Sequence, residues 1–361
     1  MGLLSVLPSC LAVVDQSQFV QIDAAAISHL LNSNAPLEIA VPPQGPARYH
    51  YYDGTGVTAE WIFVLDTVNH CFWPEAGSPL WTVHYGNEAL SGYWALAVSL
   101  KRAMEEKIPI NQAETLATLD SQTLAHIFRG SGKIPLFQQR LTNLRQTGQV
   151  LMDRFQRSFI HVLEEAGGSA VELVRLLVAE FASFNDATTY HGNKVYFFKR
   201  AQLLVQDLST TFSGDTWGNF IDLEKLTAFA DYKLPQVLRH LGIIRYELQL
   251  AEVIERLEHI PLGSPEEVEI RAATIWAVEL LRQELGKRGQ EVTSSQLDCW
   301  LWHLGQDSRS AESQPCRPGM PGERFSESGG ARPVQARQQL SCQDWGAKSS
   351  GNGSEVCPDG G

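Results

Sequence analysis

Phe229-Ala230-Asp231-Tyr232-Lys233-Leu234-Pro235-Gln236-Val237-Leu238-Arg239-His240-Leu241-Gly242 is the stretch from which the rest of the chain is best read. One carboxylate stands between two aromatic side chains, directly ahead of a segment with helical spacing. Pro235 suits a first helical turn, where its missing N–H has no intrahelical partner to lose. Gly242 suits the position just past a last turn. The pattern predicts a short helix over Lys233–Leu241 with Asp231 near its N-terminus, where the helix dipole favours the ionised carboxylate. On spacing alone Asp231 reads as a helix cap. Its other reading is a carboxylate that steadies a cationic, oxocarbenium-like transition state between aromatic walls.

Helical periodicity continues on both sides. Val150–Glu165, Val171–Phe184 and Val195–Leu208 place apolar residues at every third or fourth position, the last of these after a break at Gly192-Asn193. Ser264-Pro265-Glu266-Glu267 joins a capping box to a proline at the first helical position. The helix it opens runs to Leu285, and its stretch IRAATIWAVELL (270–281) is apolar enough to be buried. Glu267, Glu269 and Arg271 read there as capping and surface charge. A last helix is predicted over Ser294–Leu304. Nearer the N-terminus, Phe19–Asn32 and Tyr93–Met104 read as helices. Trp61–Phe72 reads as a strand from its β-branched and aromatic members, and Trp81–Tyr85 with Ala89–Ser91 as a hairpin about Gly86-Asn87. The fold class is therefore mainly α, with a small β element in the N-terminal third.

From Gly305 the composition shifts to Ser, Gly, Gln, Pro and Arg with few aliphatic residues. Such a segment cannot bury enough apolar surface to offset its ordering entropy. The expected organisation is one folded domain over residues 1–304 and a disordered tail over 305–361.

The formal net charge of −12 argues against a sequence-independent grip on DNA or RNA, which needs clustered Lys and Arg. It leaves room for a small phosphorylated ligand held by a few local cations. Cys10, Cys71, Cys299, Cys316, Cys342 and Cys357 form no C-x-x-C pair, so the expectation is reduced thiols and no structural zinc. Asp186 and His191 flank a turn but have no second set at ligand spacing, so no metal is expected. No apolar run is long enough to span a bilayer. The apolar start, Met1–Val14, lacks the basic residues of a secretory leader. The expected setting is the cytoplasm, with the nucleus as a second compartment, and the expected state a monomer without cofactors.

FADYKLPQVLRHLG (229–242) resembles the queuosine 5′-phosphate N-glycosylase family, the queuosine salvage proteins. So do WIFVLDTVNHCFWPE (61–75), SGYWAL (91–96), YFFKRAQLLVQD (196–207), EVEIRAATIWAVELLR (267–282) and LDCWLW (297–302), in the same order and over most of the chain. The resemblance implies a helical fold of the DNA-glycosylase type. It implies hydrolysis of queuosine 5′-phosphate to queuine and ribose 5-phosphate, with Asp231 as the catalytic carboxylate, Phe229 lining the base pocket and His50 contacting substrate. The leaving group is a 7-deazapurine, which lacks the ring nitrogen N7 whose protonation helps ordinary purines depart. Stabilisation of charge on the sugar then carries more of the barrier.

Asp298 and Trp302, spaced i and i+4, share a helix face. A carboxylate there accepts donors from a guanine-like edge, and a tryptophan stacks on the ring; the plain alternative is an exposed acid and a core tryptophan. Family members often carry a second acid after this tryptophan, where this chain has His303, which hydrogen-bonds but offers no fixed charge. Lys199 is a candidate for the 5′-phosphate or, equally, a solvated helix end. Arg200 points about 100° away from it on a helix. Tyr93, Trp94, Phe72 and Trp73 read as core. The sequence departs from the family pattern near Leu304. Other classes of function remain at this level: a non-catalytic nucleotide-binding protein, and a DNA-repair glycosylase.

Overall fold

A computed structural model describes residues 5–33, 39, 48–74, 78–256 and 258–310. In chain order the helices are α1 (Val6–Val14), α2 (Ala24–Ser33), α3 (Gly56–Thr67), α4 (Gly92–Glu105), α5 (Ala113–Ala117), α6 (Ser121–Ile127), α7 (Phe137–Arg154), α8 (Phe159–Ala166), α9 (Ala170–Glu180), α10 (Lys199–Thr211), α11 (Leu234–His240), α12 (Leu248–Glu255), α13 (Pro265–Lys287) and α14 (Ser294–Ser310). Three antiparallel ribbons of two strands join them. β1 (Val20–Ile22) pairs with β6 (Ile244–Tyr246), β2 (Thr82–Tyr85) with β3 (Glu88–Ser91), and β4 (Ala187–Tyr190) with β5 (Asn193–Tyr196). The expected mainly α architecture is present, with strands reaching beyond the N-terminal third.

Several local expectations give way to packing. The run expected as a strand, Trp61–Phe72, is helical as far as Thr67 in α3, and Thr55 caps that helix by accepting from the N–H of Val57. All residues from Trp61 to Thr67 are buried. A segment buried on every side carries no periodic signature, so its β-branched members misled the reading. Phe19–Asn32 divides into β1 and α2 at Asp23, whose carboxylate accepts from Ala25 N (2.9 Å) and Ala26 N (3.1 Å). Val150–Glu165 is the end of α7 and most of α8. The chain breaks between them at Gln156 and Arg157, both at positive φ, and Ser158 caps α8. Val195 and Tyr196 belong to β5, and α10 starts only at Lys199, after Phe198 at φ 49°. The Gly86-Asn87 hairpin and the Ser264-Pro265 helix start stand where the sequence puts them. The last helix runs past Leu304 to Ser310.

Two apolar clusters form the core. The larger gathers α1, α3 to α10 and their connections; the smaller gathers β1, α2, β6, α11, α12 and α14. Helix α13 serves both. Val268, Ala272 and Ile275 face the first cluster, while Ile270, Ala273, Ala277, Val278 and Leu281 face the second. This double burial overturns the expected surface role of its charges. Glu267 and Glu269 are fully buried and Arg271 nearly so. Arg271 makes a two-pronged pair with Asp186 (3.0 and 2.5 Å) and lies over the Phe197 ring. Glu269 Oε2 accepts the N–H groups of Gln18 (3.0 Å), Phe19 (2.6 Å) and Val20 (3.1 Å), and its Oε1 accepts from the Tyr190 hydroxyl (2.7 Å). Buried charges persist where such partners satisfy them.

Cys10 and Cys299 are free thiols, but Cys71 is a disulfide cysteine, against the reduced-thiol expectation. Cys316, Cys342 and Cys357 and the proposed tail from 311 on lie outside the described residues. Among the described residues no helix is long and apolar enough to cross a membrane.

Candidate active site

The segment 226–233 runs along the seam between the two clusters. Its entry is fixed by the Gln202 side chain on α10, which accepts from Thr227 N (2.8 Å) and donates to Thr227 Oγ1 (3.0 Å). Two residues on, the N–H of Phe229 donates to Asp298 Oδ1 on α14 at 2.6 Å. This bond places the carboxyl of Asp298 beside the segment that carries Asp231. Asp231 itself is half-buried. Its Oδ1 accepts from Lys233 N (2.7 Å) and Leu234 N (3.1 Å), so it closes a turn at the mouth of α11. These bonds turn the chain ahead of α11, whose cap position is Lys233 rather than Asp231, and they fix the direction of the carboxylate.

The charge of Asp231 is felt at Asp298. Burial, and then the charge of Asp231, push the Asp298 carboxyl well above the ordinary carboxylate range. Burial thus works against the ionised form of Asp298, while the Phe229 N–H bond and the charge of Lys199 favour it. Phe229 is buried, with its backbone held by Asp298.

Trp302 lies one helical turn beyond Asp298, and its ring meets Trp94 (6.2 Å) and Tyr93 (6.4 Å) at the start of α4. His50 joins the same aromatic group, 5.7 Å from the Tyr93 ring and 5.9 Å from the Trp94 ring, with its Nε2 3.0 Å from the Tyr93 hydroxyl. Burial, aided by Lys101, lowers the His50 pKa to about 4, so its imidazole is neutral at physiological pH. His50 and Trp302 are thus brought to one wall by Tyr93 and Trp94, which the sequence reading assigned to the core. His303 points differently. Its Nδ1 lies 2.7 Å from the Cys299 carbonyl one turn back on its own helix, and its ring stands edge-on to Trp302.

Lys199 opens α10, its backbone N–H held by Asp186 Oδ2 (3.2 Å). Its charge acts on Asp298 and also on Asp66, a buried acid at the end of α3. Arg200, as the helical geometry implied, turns away. Its guanidinium reaches the carbonyls of Thr67 (2.5 Å) and Ser183 and lies over Phe184. Arg140 reaches the carbonyls of Val68, His70 and Cys71 (2.5 Å to the last). Two arginines thereby clamp the chain that leaves α3, and Trp73 at its far end meets Tyr232 edge-on at 5.4 Å.

The sequence reading missed Asp66, which is nonetheless the one carboxylate inside the apolar run 61–73. Asp207, buried on α10, was missed as well; with Asp66 it raises the Tyr93 pKa, after burial. Among the described residues no group of three or more His, Cys, Asp or Glu is arranged to hold a metal ion.

Asp298 is thus held beside the segment that bears Asp231, the aromatic wall gathers His50, Tyr93, Trp94 and Trp302, and the charge of Lys199 is felt at Asp298. The profile of the queuosine salvage protein family matches residues 49–318, a span that takes in every residue named above as part of the site. A Sphaerobacter thermophilus protein named queuosine 5′-phosphate N-glycosylase/hydrolase is 48% identical over 303 residues, 84% of this chain and 93% of that protein. A Bos taurus protein of the same name is 38% identical over 259 residues, 69% of this chain and 76% of its own length. One from Schizosaccharomyces pombe is 31% identical over 270 residues, or 72% and 78%. The chain belongs to the queuosine salvage protein family.

Proposed function

We propose that this protein hydrolyses the N-glycosidic bond of queuosine 5′-phosphate, releasing queuine and ribose 5-phosphate for reuse in tRNA modification. The observation that carries the reading is the placement of Asp231 and Asp298 by one short segment, with Phe229 tying the two together. Asp231, oriented by its two backbone donors, lies under the sugar and stabilises positive charge as the bond to the base breaks. Asp298 meets the guanine-like edge through the oxygen that Phe229 leaves open. Trp302 stacks on that base, His50 and Phe229 line its pocket, and Lys199 takes the 5′-phosphate as a point charge. His303 borders the base from beside Trp302. The catalytic domain takes in the whole of α14, to Ser310, and works as a monomer on a free nucleotide; the acidic surplus disfavours a polynucleotide substrate.

Incubation with queuosine 5′-phosphate, with free queuine followed by mass, tests this. Release by the wild type and its loss in Asp231→Asn is the expected result. Binding without release makes the protein a nucleotide-binding module. Release of bases from duplex DNA instead points to a repair glycosylase.

A further inference from the structure

An imidazole can meet a ligand as a donor or as an acceptor, and its tautomer decides which. For His50 the surroundings leave little freedom. The rings of Trp61 (5.6 Å), Tyr93 (5.7 Å) and Trp94 (5.9 Å) pack around it, with Tyr93 edge-on at 90°. The backbone leading into it is tied as well. Arg48 and Tyr49 both meet Glu88 on β3, and Lys101 on α4 donates to the Arg48 carbonyl. Among the described residues one hydrogen bond reaches the imidazole, between Nε2 and the Tyr93 hydroxyl at 3.0 Å.

The direction of that bond follows from the two groups that share it. Burial, and then the charge of Lys101, keep His50 neutral at physiological pH, so one of its two nitrogens carries hydrogen and the other does not. Tyr93 also keeps its hydrogen, because burial and the charges of Asp207 and Asp66 hold its hydroxyl well above the ordinary range. Among the described residues this hydroxyl has no second hydrogen-bond partner. If it accepted from Nε2, its own hydrogen would be left without an acceptor inside an aromatic wall, the costlier arrangement. Donation to Nε2 satisfies both groups. The imidazole hydrogen then sits on Nδ1, which no hydrogen bond among the described residues uses.

We propose that Tyr93 is a positioning residue that donates to His50 Nε2, fixes the Nδ1–H tautomer, and thereby makes His50 a hydrogen-bond donor towards the substrate. This rests on the reading of His50 as a residue of the substrate pocket. Tyr93 acts through the imidazole, by holding its orientation and choosing which nitrogen bears hydrogen. The donor so formed pairs with an acceptor atom of the substrate, such as a carbonyl oxygen, and rejects an amino group in the same place. Its contribution is to binding rather than to proton transfer.

Nitrogen NMR of the histidine-labelled protein reads the tautomer, with His50→Asn to assign the signals. In the wild type His50 Nδ1 should show the shift of a protonated ring nitrogen and Nε2 that of a bare one. In Tyr93→Phe, which keeps the ring, the two should mix or exchange. Hydrogen on Nε2 in the wild type, or the same tautomer in both proteins, would overturn the proposal. With queuosine 5′-phosphate, Tyr93→Phe should raise KM roughly three- to tenfold, the scale of one hydrogen bond, with kcat little changed. Asparagine can place an amide where Nδ1 lies and glutamine where Nε2 lies, so His50→Gln should raise KM more than His50→Asn does. Added to His50→Asn, Tyr93→Phe should cost nothing further. An equal cost of Tyr93→Phe in both backgrounds refutes the proposal, because Tyr93 would then act by itself. If Tyr93→Phe fails to fold, the wild-type tautomer and the order of the two His50 variants decide. A wild type that releases no queuine sinks the functional reading instead, and the nitrogen shifts still decide on the tautomer.

Discussion

Asp66, whose Oδ2 is buried without a hydrogen-bond partner, allows a stability prediction that is independent of any substrate, read in Asp66→Asn. Burial raises the Asp66 pKa from an ordinary 3.8 to about 7, against the opposing pull of Asn69, Lys199 and Arg200. The folded protein thus holds this proton more tightly than the unfolded chain does. The stability contributed by the proton is fully present below 3.8 and is lost as pH rises towards about 7. At about 1.4 kcal/mol for each pH unit, the loss across that window is on the order of 4 kcal/mol. An asparagine cannot ionise, so the variant escapes it. Its fixed effects, such as an amide nitrogen in place of a carboxyl oxygen, shift both ends of the pH range alike and drop out of the slope. Urea unfolding at pH 4, 5.5 and 7.5 reads the difference directly. Relative to wild type, the variant should gain stability steadily from the lowest pH to the highest. A gap between the two proteins that stays constant with pH would show that Asp66 is ionised throughout, and the account of its orphaned oxygen would fail.

Asp231→Asn keeps an oxygen for Lys233 N and Leu234 N, so the unfolding midpoint should move by no more than about 1 kcal/mol, while the rate of queuine release, followed by mass, falls about a hundredfold or more. Glu269→Ala leaves three backbone donors and the Tyr190 hydroxyl without their acceptor and should cost about 3–5 kcal/mol in urea unfolding; a loss under about 1 kcal/mol would mean that water replaces the carboxylate. At Gly305 an added Cβ would come within 2.8 Å of Val237 Cγ2, and the Gly305 carbonyl receives Lys233 Nζ at 3.4 Å. Gly305→Leu should therefore destabilise by about 1–3 kcal/mol through α11 and α14, and a neutral result would show that the end of α14 does not pack.

Legibility in the sequence followed the kind of signal each element carries. The Gly86-Asn87 hairpin and the Ser264-Pro265-Glu266-Glu267 helix start were readable because turns and caps are decided by a few adjacent residues. The helix α3 was not, because a segment buried on all sides looks the same in either secondary structure. Glu269 and Arg271 were misread for a related reason: capping and surface charge account for such residues locally, whereas their partners, Gln18 to Val20 and Asp186, lie far away in the chain. In the site, Phe229 and His50 were named through the family resemblance, Asp231 from its stretch and then from the resemblance, Asp298 and Trp302 from i, i+4 spacing together with it, and Lys199 as a local cation in an acidic chain. Tyr93 was read as core and Asp66 passed over because each sits in an apolar stretch where the bland reading is usually right. His303 was named for the base from its place after Trp302, and only its Nδ1 is engaged by the Cys299 carbonyl of its own helix.

The shared helix α13 has a mechanical consequence. One rod supplies an inner wall to both apolar clusters, and its buried acids and arginine are fastened to segments as distant as residues 18–20 and 186. Hinging the two halves apart would strip those charges of their partners before the cleft widened appreciably. Any widening of the seam therefore falls to side chains at its rim and to the irregular segment 226–233 that bears Asp231, within a frame that stays shut.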